Sequence, residues 1–146
     1  MDQLKDRRRR RTRGHAVMEV ALLSPWIFFL LAGALDMGFY SYALIATQNA
    51  ARVAAEYTSK STATASDSAS ACQYALDEMG SLANVQGLSS CNSAPLTVTA
   101  TKVTGPDGAW ASSVSVTYRT AFLIPIPGVT GQLTMTRTVE MRLQTS

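Results

Sequence analysis

The sequence predicts an α+β fold: one long N-terminal helix, half in a membrane and half outside it, packed on a small three-stranded antiparallel sheet. Three observations lead there. Residues 16–35 are an almost wholly apolar stretch that runs on into a helical pattern as far as Tyr57. The last third of the 146-residue chain alternates apolar and polar residues in three runs. Between them lies a segment of Ser, Thr and Ala with little to bury. A chain of this length has room for one small core.

The charge is distributed unevenly. The chain carries 13 Lys and Arg against 10 Asp and Glu, +3 in all. Seven of those cations and two of the acids fall in residues 1–13, a local +5, so the remainder has six cations against eight acids, −2. A basic N-terminal tag on a mildly acidic body does not describe a nucleic-acid-binding surface. One His, two Cys and 16% charged residues leave few groups for acid–base work or metal ligation. Cys72 and Cys91 lack zinc spacing, and no glycine-rich phosphate loop or GxSxG signature occurs. Asp77 and Glu78 are adjacent, so on a helix they point apart. The expectation is a protein that is not an enzyme, with no cofactor, no metal and no small-molecule substrate.

The helix is justified first. Residues 20–35 are interrupted only by Ser24 and Pro25, and with residues 16–18 the run reaches about twenty residues, enough to cross a hydrocarbon core of ~30 Å. Cations crowd its N-terminal side and none follows until Arg52, so the N-terminus is expected in the cytoplasm and the body outside. A helix over residues 16–57 would reach ~63 Å at 1.5 Å per residue, so half of it must stand beyond the membrane. Pro25 removes one backbone hydrogen bond, which predicts a kink or local melting near Leu22.

Glu19 does not suit a plain anchor. A carboxylate within an apolar span costs several kcal/mol on insertion scales, ~2.5–3.5 for an Asp at the centre and less near the interface. One reading is that Glu19 snorkels into the headgroups a turn from Arg13. The other begins with scission after Gly14, which would free an α-amine on His15, one helical turn before Glu19. In a bundle of such helices, that amine could neutralise the Glu19 of a neighbour.

At these residues the sequence resembles a type IV prepilin, more closely the TadE-like minor pilins of tight-adherence (Tad, Flp) systems. The matching elements are the basic leader, Gly14 as its last residue, Glu19 as the fifth mature residue, the apolar helix with Pro25, and Gly33-Ala34-Leu35-Asp36-Met37-Gly38. Asn49-Ala50-Ala51-Arg52-Val53-Ala54-Ala55 resembles the alanine–arginine end of the same helix. The resemblance covers residues 7–57. It implies a leader at 1–14, cleavage between Gly14 and His15 by a prepilin peptidase, Glu19 as the assembly glutamate, and single-pass insertion in a bacterial inner membrane. Its implied partners are other pilin subunits and the Tad assembly platform, and its implied role is assembly of an adherence pilus. Val20 stands where Flp-type pilins usually have an aromatic residue, and a mature chain of 132 residues far exceeds a typical Flp subunit; both favour a minor pilin. The rival reading takes Ala32-Gly33-Ala34 as a conventional signal-peptide site, leaving an exported or membrane-anchored binding domain that uses its sheet or its Pro125–Gly128 loop. The length of the apolar run and Glu19 speak against it.

Beyond the membrane half, Phe39/Tyr40, Ala43, Ala46/Thr47, Ala50, Val53/Ala54 and Tyr57 recur at helical spacing, with Gln48, Arg52 and Glu56 on another face and Glu56–Lys60 as an i,i+4 pair. Residues 58–71 read as a linker, and 72–146 as a small extracytoplasmic domain. Residues 72–79 suggest a short helix stopped by Gly80, with Ser70 as N-cap. Cys72 and Cys91 bracket it; outside the cytoplasm a disulfide between them is favoured over two free thiols. Leu96, Val98 and Ala100 mark the first strand, and Gly105-Pro106-Asp107-Gly108 the turn after it. Val114, Val116 and Tyr118 mark the second. Leu133, Met135, Val139, Met141 and Leu143 share a face of the third, with Arg137 the one intruder. Trp110, Tyr118 and Phe122 are expected in packing rather than on a ligand platform.

Overall fold

Sequence with a single interior proline, apolar and then alanine-rich after its basic start, folds as helix from Asp2 to Thr58. A computed structural model describes residues 2–121 and 132–144, with side chains from His15 onward. Helix α1 spans Asp2–Thr58, unbroken through Pro25. The expected local melting near Leu22 does not occur: the ring removes one N–H, and the hydrogen bonds of the turns on either side hold the helix. The chain divides into two compact units, Met1–Gly38 and Phe39–Ser146.

In the second unit, helix α2 spans Ser68–Met79, and strands β1 (Asn92–Ser93), β2 (Leu96–Thr104), β3 (Trp110–Arg119) and β4 (Thr134–Arg142) form one antiparallel sheet in the order β1-β2-β3-β4. The sheet therefore has four strands, not three. β1 is two residues long, joined to β2 through Ala94-Pro95, whose peptide bond is cis, and nothing so short has a readable period. The β2–β3 hairpin closes at the expected turn. Gly108 N–H donates to the Gly105 carbonyl (3.0 Å), and Asp107 Oδ1 accepts from Ala109 N–H. Gly108 has φ +77°, a left-handed backbone conformation that glycine adopts freely.

The linker and the short helix are corrected. α2 begins at Ser68 rather than residue 72, and its N-cap is Asp67, whose carboxylate accepts from Ser70 N–H at 3.1 Å. Residues 59–67 are a hydrogen-bonded series of turns: Thr64 Oγ1 lies 3.1 Å from the Thr58 carbonyl, and the Ser112 hydroxyl lies 2.7 Å from Thr58 Oγ1 and 3.0 Å from the Ala65 carbonyl. Of the residues that suggested a solvated linker, Thr58, Ser59, Ser61, Thr64 and Ser68 hydrogen-bond through their side chains within the fold. Lys60 lies beyond the end of α1, with its ammonium over the Tyr57 ring.

The core is built from small residues on the helix and larger ones elsewhere. Ala43, Ala46, Ala50, Ala51, Ala54 and Ala55 form the buried face of α1, joined by Ala71, Cys72, Ala75 and Met79 of α2 and by Leu82 and Val85 after it. From the sheet come Leu96, Val98, Ala100, Val114, Val116 and Tyr118, with Met135, Val139 and Met141 of β4 only partly buried against them. Alanine on one partner lets the backbones approach. The transfer gain, about 1.5–3 kcal/mol for each large apolar side chain fully buried, then comes from the sheet and from α2. The outer face of the sheet is hydroxylated, with Thr117 paired to Thr136 and Thr138 to Ser115 across the strands. Trp110 and Leu133 depart from expectation. Both are about half exposed, because each sits where the alternation of its strand begins or has already lapsed. Phe122 and the Pro125–Gly128 loop lie outside the described residues.

Candidate functional site

Two regions carry chemistry that the core does not absorb. The first is the N-terminal unit. Helix α1 runs without interruption through Gly14, His15 and Glu19. Glycine within a helix weakens it by roughly 0.5–1 kcal/mol relative to alanine, so the backbone at Gly14 is a soft point in an otherwise continuous element. His15 and Glu19 are both exposed, four positions apart, and four-residue spacing sets their side chains on one face a single turn apart.

Around them the surface is apolar on every side. Val17, Val20, Leu22, Trp26, Phe28 and Leu30 are each more than 60% exposed, where six water-facing apolar side chains of a soluble helix would be anomalous. A helix apolar all round is one that another medium or other helices must cover. Its length and composition suit a membrane crossing. Pro25, Trp26 and Phe29 line a purely apolar notch of about 310 Å³ on this surface. Apart from the flanking residues and the helix's own backbone, nothing among the described residues lies within 4 Å of the place a Cβ would take at Gly33 or Gly38, so the missing side chains there are not required by the chain's own packing.

The second region is the flank of the second unit, which the sequence did not single out. Leu44, Ile45, Gln48 and Asn49 of α1 and Arg137 of β4 line an open groove of about 240 Å³. Leu44 and Ile45 lie off the alanine face, and an off-stripe apolar pair on a helix is the signal that could have found the groove. Arg137 is inward-facing and half-buried, as its place in the alternation of β4 implied.

Cys72 and Cys91 are disulfide-bonded, with a Cα–Cα distance of 5.7 Å, tying α2 to the segment that enters β1. Among the described residues no group of three or more His, Cys, Asp or Glu side chains could hold a metal ion. Two titratable groups are perturbed. Asp67 is held below the usual carboxylate range by hydrogen bonds from Ser70, first from its side chain and then from its N–H. Burial raises the Tyr118 phenol above its ordinary value, against the smaller opposing effect of its hydrogen bond to Asn84 Oδ1. Both shifts come from capping and packing and stand apart from any reactive centre.

Comparison with known proteins finds a similarity that covers the first region and continues along α1 into the second unit. Residues 14–56 match the family model described as TadE-like protein. The match opens on Gly14 and includes His15, Glu19, the Gly33–Gly38 element and the arginine-bearing alanine face, and it ends before α2 and the sheet. No curated protein and no solved structure matches the chain.

Proposed function

We propose that the protein is a TadE-like minor pilin: a structural subunit whose leader, residues 1–14, is removed by a prepilin peptidase, and which takes part in assembling a Tad-type pilus for adherence. The observation that carries the reading is that the TadE-like match begins at Gly14 and holds an acidic residue five positions on, inside an apolar helix.

The steps follow from elementary chemistry. The basic leader keeps residues 1–13 on the cytoplasmic side, because cations near a span resist translocation. Gly14 offers the peptidase a scissile bond without a side chain on its acyl side, in a stretch of helix that opens readily. Hydrolysis of the Gly14–His15 amide consumes one water, leaves a carboxylate on the leader and frees an amine on His15. That amine and the Glu19 carboxylate are opposite charges in a medium of low dielectric, where either alone is costly and the pair much less so. Pairing the amine of one subunit with Glu19 of the next sets the axial register of a bundle. The open surfaces at Gly33 and Gly38 let neighbouring helices approach closely once that register is set.

One pair of variants tests this. Gly14→Val is expected to accumulate uncut in the membrane. Glu19→Ala is expected to be cut normally yet to be depleted at least tenfold from sheared pili. Normal processing of Gly14→Val removes the peptidase step, and unchanged incorporation of Glu19→Ala removes the pairing.

A further inference from the structure

The two ends of the second unit lie at different points along α1. At one, the Ser112 hydroxyl bonds to Thr58 Oγ1 and Gln144 N–H donates to the Ser59 carbonyl, so the end of the sheet where Thr104 pairs with Trp110 lies towards the close of the helix. The other end, where Arg119 pairs with Thr134, lies towards the start of the unit. There the hydroxyls of Tyr42 and Ser81 are 2.7 Å apart, and Asn84 Nδ2 donates to the Arg119 carbonyl at 2.8 Å. Thr120 N–H donates to the Leu133 carbonyl, and Leu133 N–H to Thr120 Oγ1. These bonds gather Tyr42, Ser81, Asn84, Arg119 and Leu133 at one base of the unit. Tyr42 and Leu133 are each about half exposed there, and Arg119 is exposed. The chain between Ala121 and Gln132, which leaves from this base and returns to it, contains no charged residue in its sequence.

We infer that this base rests in the headgroup layer of a phospholipid bilayer, with Tyr42, Leu133 and Arg119 in contact with lipid. The inference rests on reading residues 16–35 as a membrane span, and it is independent of leader removal and of pilus assembly. The length of chain between span and base names the occupant. The apolar run ends at Leu35, and α1 continues as helix to Phe39, where the second unit begins. Four helical steps rise ~6 Å, and the headgroup layer on each side of the hydrocarbon is about 5–8 Å deep. The second unit thus starts within the thickness of that layer. Tyr40 and Tyr42 follow at once, and tyrosine, with an apolar ring and a polar tip, favours this depth. Leu133 loses contact with water there. The Arg119 guanidinium can donate to phosphate oxygens while its stem lies along the acyl boundary. Asp77 and Glu78 precede Ser81 on α2, so net charge does not draw the base to the membrane; its aromatic and apolar groups do.

Fluorescence quenching of the full chain, reconstituted in vesicles of phosphatidylethanolamine and phosphatidylglycerol, tests it. Single cysteines are introduced at Thr134→Cys, at the base, and at Thr104→Cys, at the far end of the sheet ~30 Å away. Both positions are exposed, and with Cys72 and Cys91 kept in their disulfide each chain takes one dye. Lipid carrying a nitroxide near its headgroup is expected to quench the dye at Thr134 at least threefold more than the dye at Thr104. Adding Leu133→Asp and Arg119→Glu should bring the Thr134 signal down to that of Thr104. A third dye, at Phe28→Cys, reports the span and is expected to be quenched by lipid carrying its nitroxide deep in the acyl chain. Equal quenching at Thr134 and Thr104 with Phe28 quenched overturns the inference and leaves the span standing. An unquenched Phe28 overturns the span and the inference with it. A dye at Thr134 that is blue-shifted yet untouched by labelled lipid shows that protein covers the base instead, and so does quenching there that the double substitution leaves unchanged count against the lipid contact. Should the doubly substituted chain fail to fold, the comparison of Thr134 with Thr104 decides alone.

Discussion

Asp67 shows how a single side chain decides where an element starts. Ser68 to Met79 could begin as helix at several points, but the Asp67 carboxylate presents a side-chain acceptor to the free N–H groups of the first turn, and Ser70 answers it. The sequence reading placed the cap three residues late, at Ser70, because Ser and Asp are equally good caps and nothing local separates them. The hydrogen bonds favour the ionised form of Asp67, so its contribution to stability is present above the unfolded carboxylate value of about 3.9 and is lost as pH falls through the lower folded value. Asp67→Asn keeps the acceptor and discards the titration. The loss of thermal midpoint between neutral pH and about pH 2 is expected to be smaller in Asp67→Asn than in the parent, measured by circular dichroism; an identical loss would contradict the assignment. At the same scale, the inward places of Val114, Val116, Tyr118 and Arg137 were legible because strand alternation is strict within a paired ladder. Trp110 and Leu133 were not, since the alternation says nothing about where a ladder stops.

At the scale of elements, α1 and the three long strands were readable from their periods, whereas β1 and the turns of residues 59–67 were not. β1 exists only because Asn92 and Ser93 meet Thr97 and Leu96 across a two-residue turn. The Ser/Thr-rich turns are held by tertiary partners, among them Ser112, that lie far away in sequence. The Cys72–Cys91 bond joins α2 to β1 across a separation of 19 residues. In the loop-entropy account such a bond contributes about 3 kcal/mol by restricting the unfolded chain. Reduction, or replacement of both cysteines by alanine, is accordingly expected to lower the urea midpoint of the second unit without changing its strand content. An unchanged midpoint on full reduction would show that the packing of α2 against β2 suffices alone.

At the scale of the whole molecule, the N-terminal unit and the small α+β unit differ in what they bury. The second unit buries an alanine helix face, a disulfide and one side of a sheet, as a chain folded in water does. The first, over its described side chains, exposes large apolar residues on every side and buries only Ala32 and Asp36. The candidate site was legible in the sequence because it is local: Gly14, His15 and Glu19 lie within six residues, so chain spacing alone sets their relation on a helix. The groove beside Arg137 was not, since it arises from the meeting of distant segments. The account turns on whether the helix is made to begin at His15. The decisive measurement is the intact mass and N-terminal residue of the protein recovered from its native membrane. A chain that starts at His15 is the predicted result; a start at Leu35 or an uncut Met1 would contradict it.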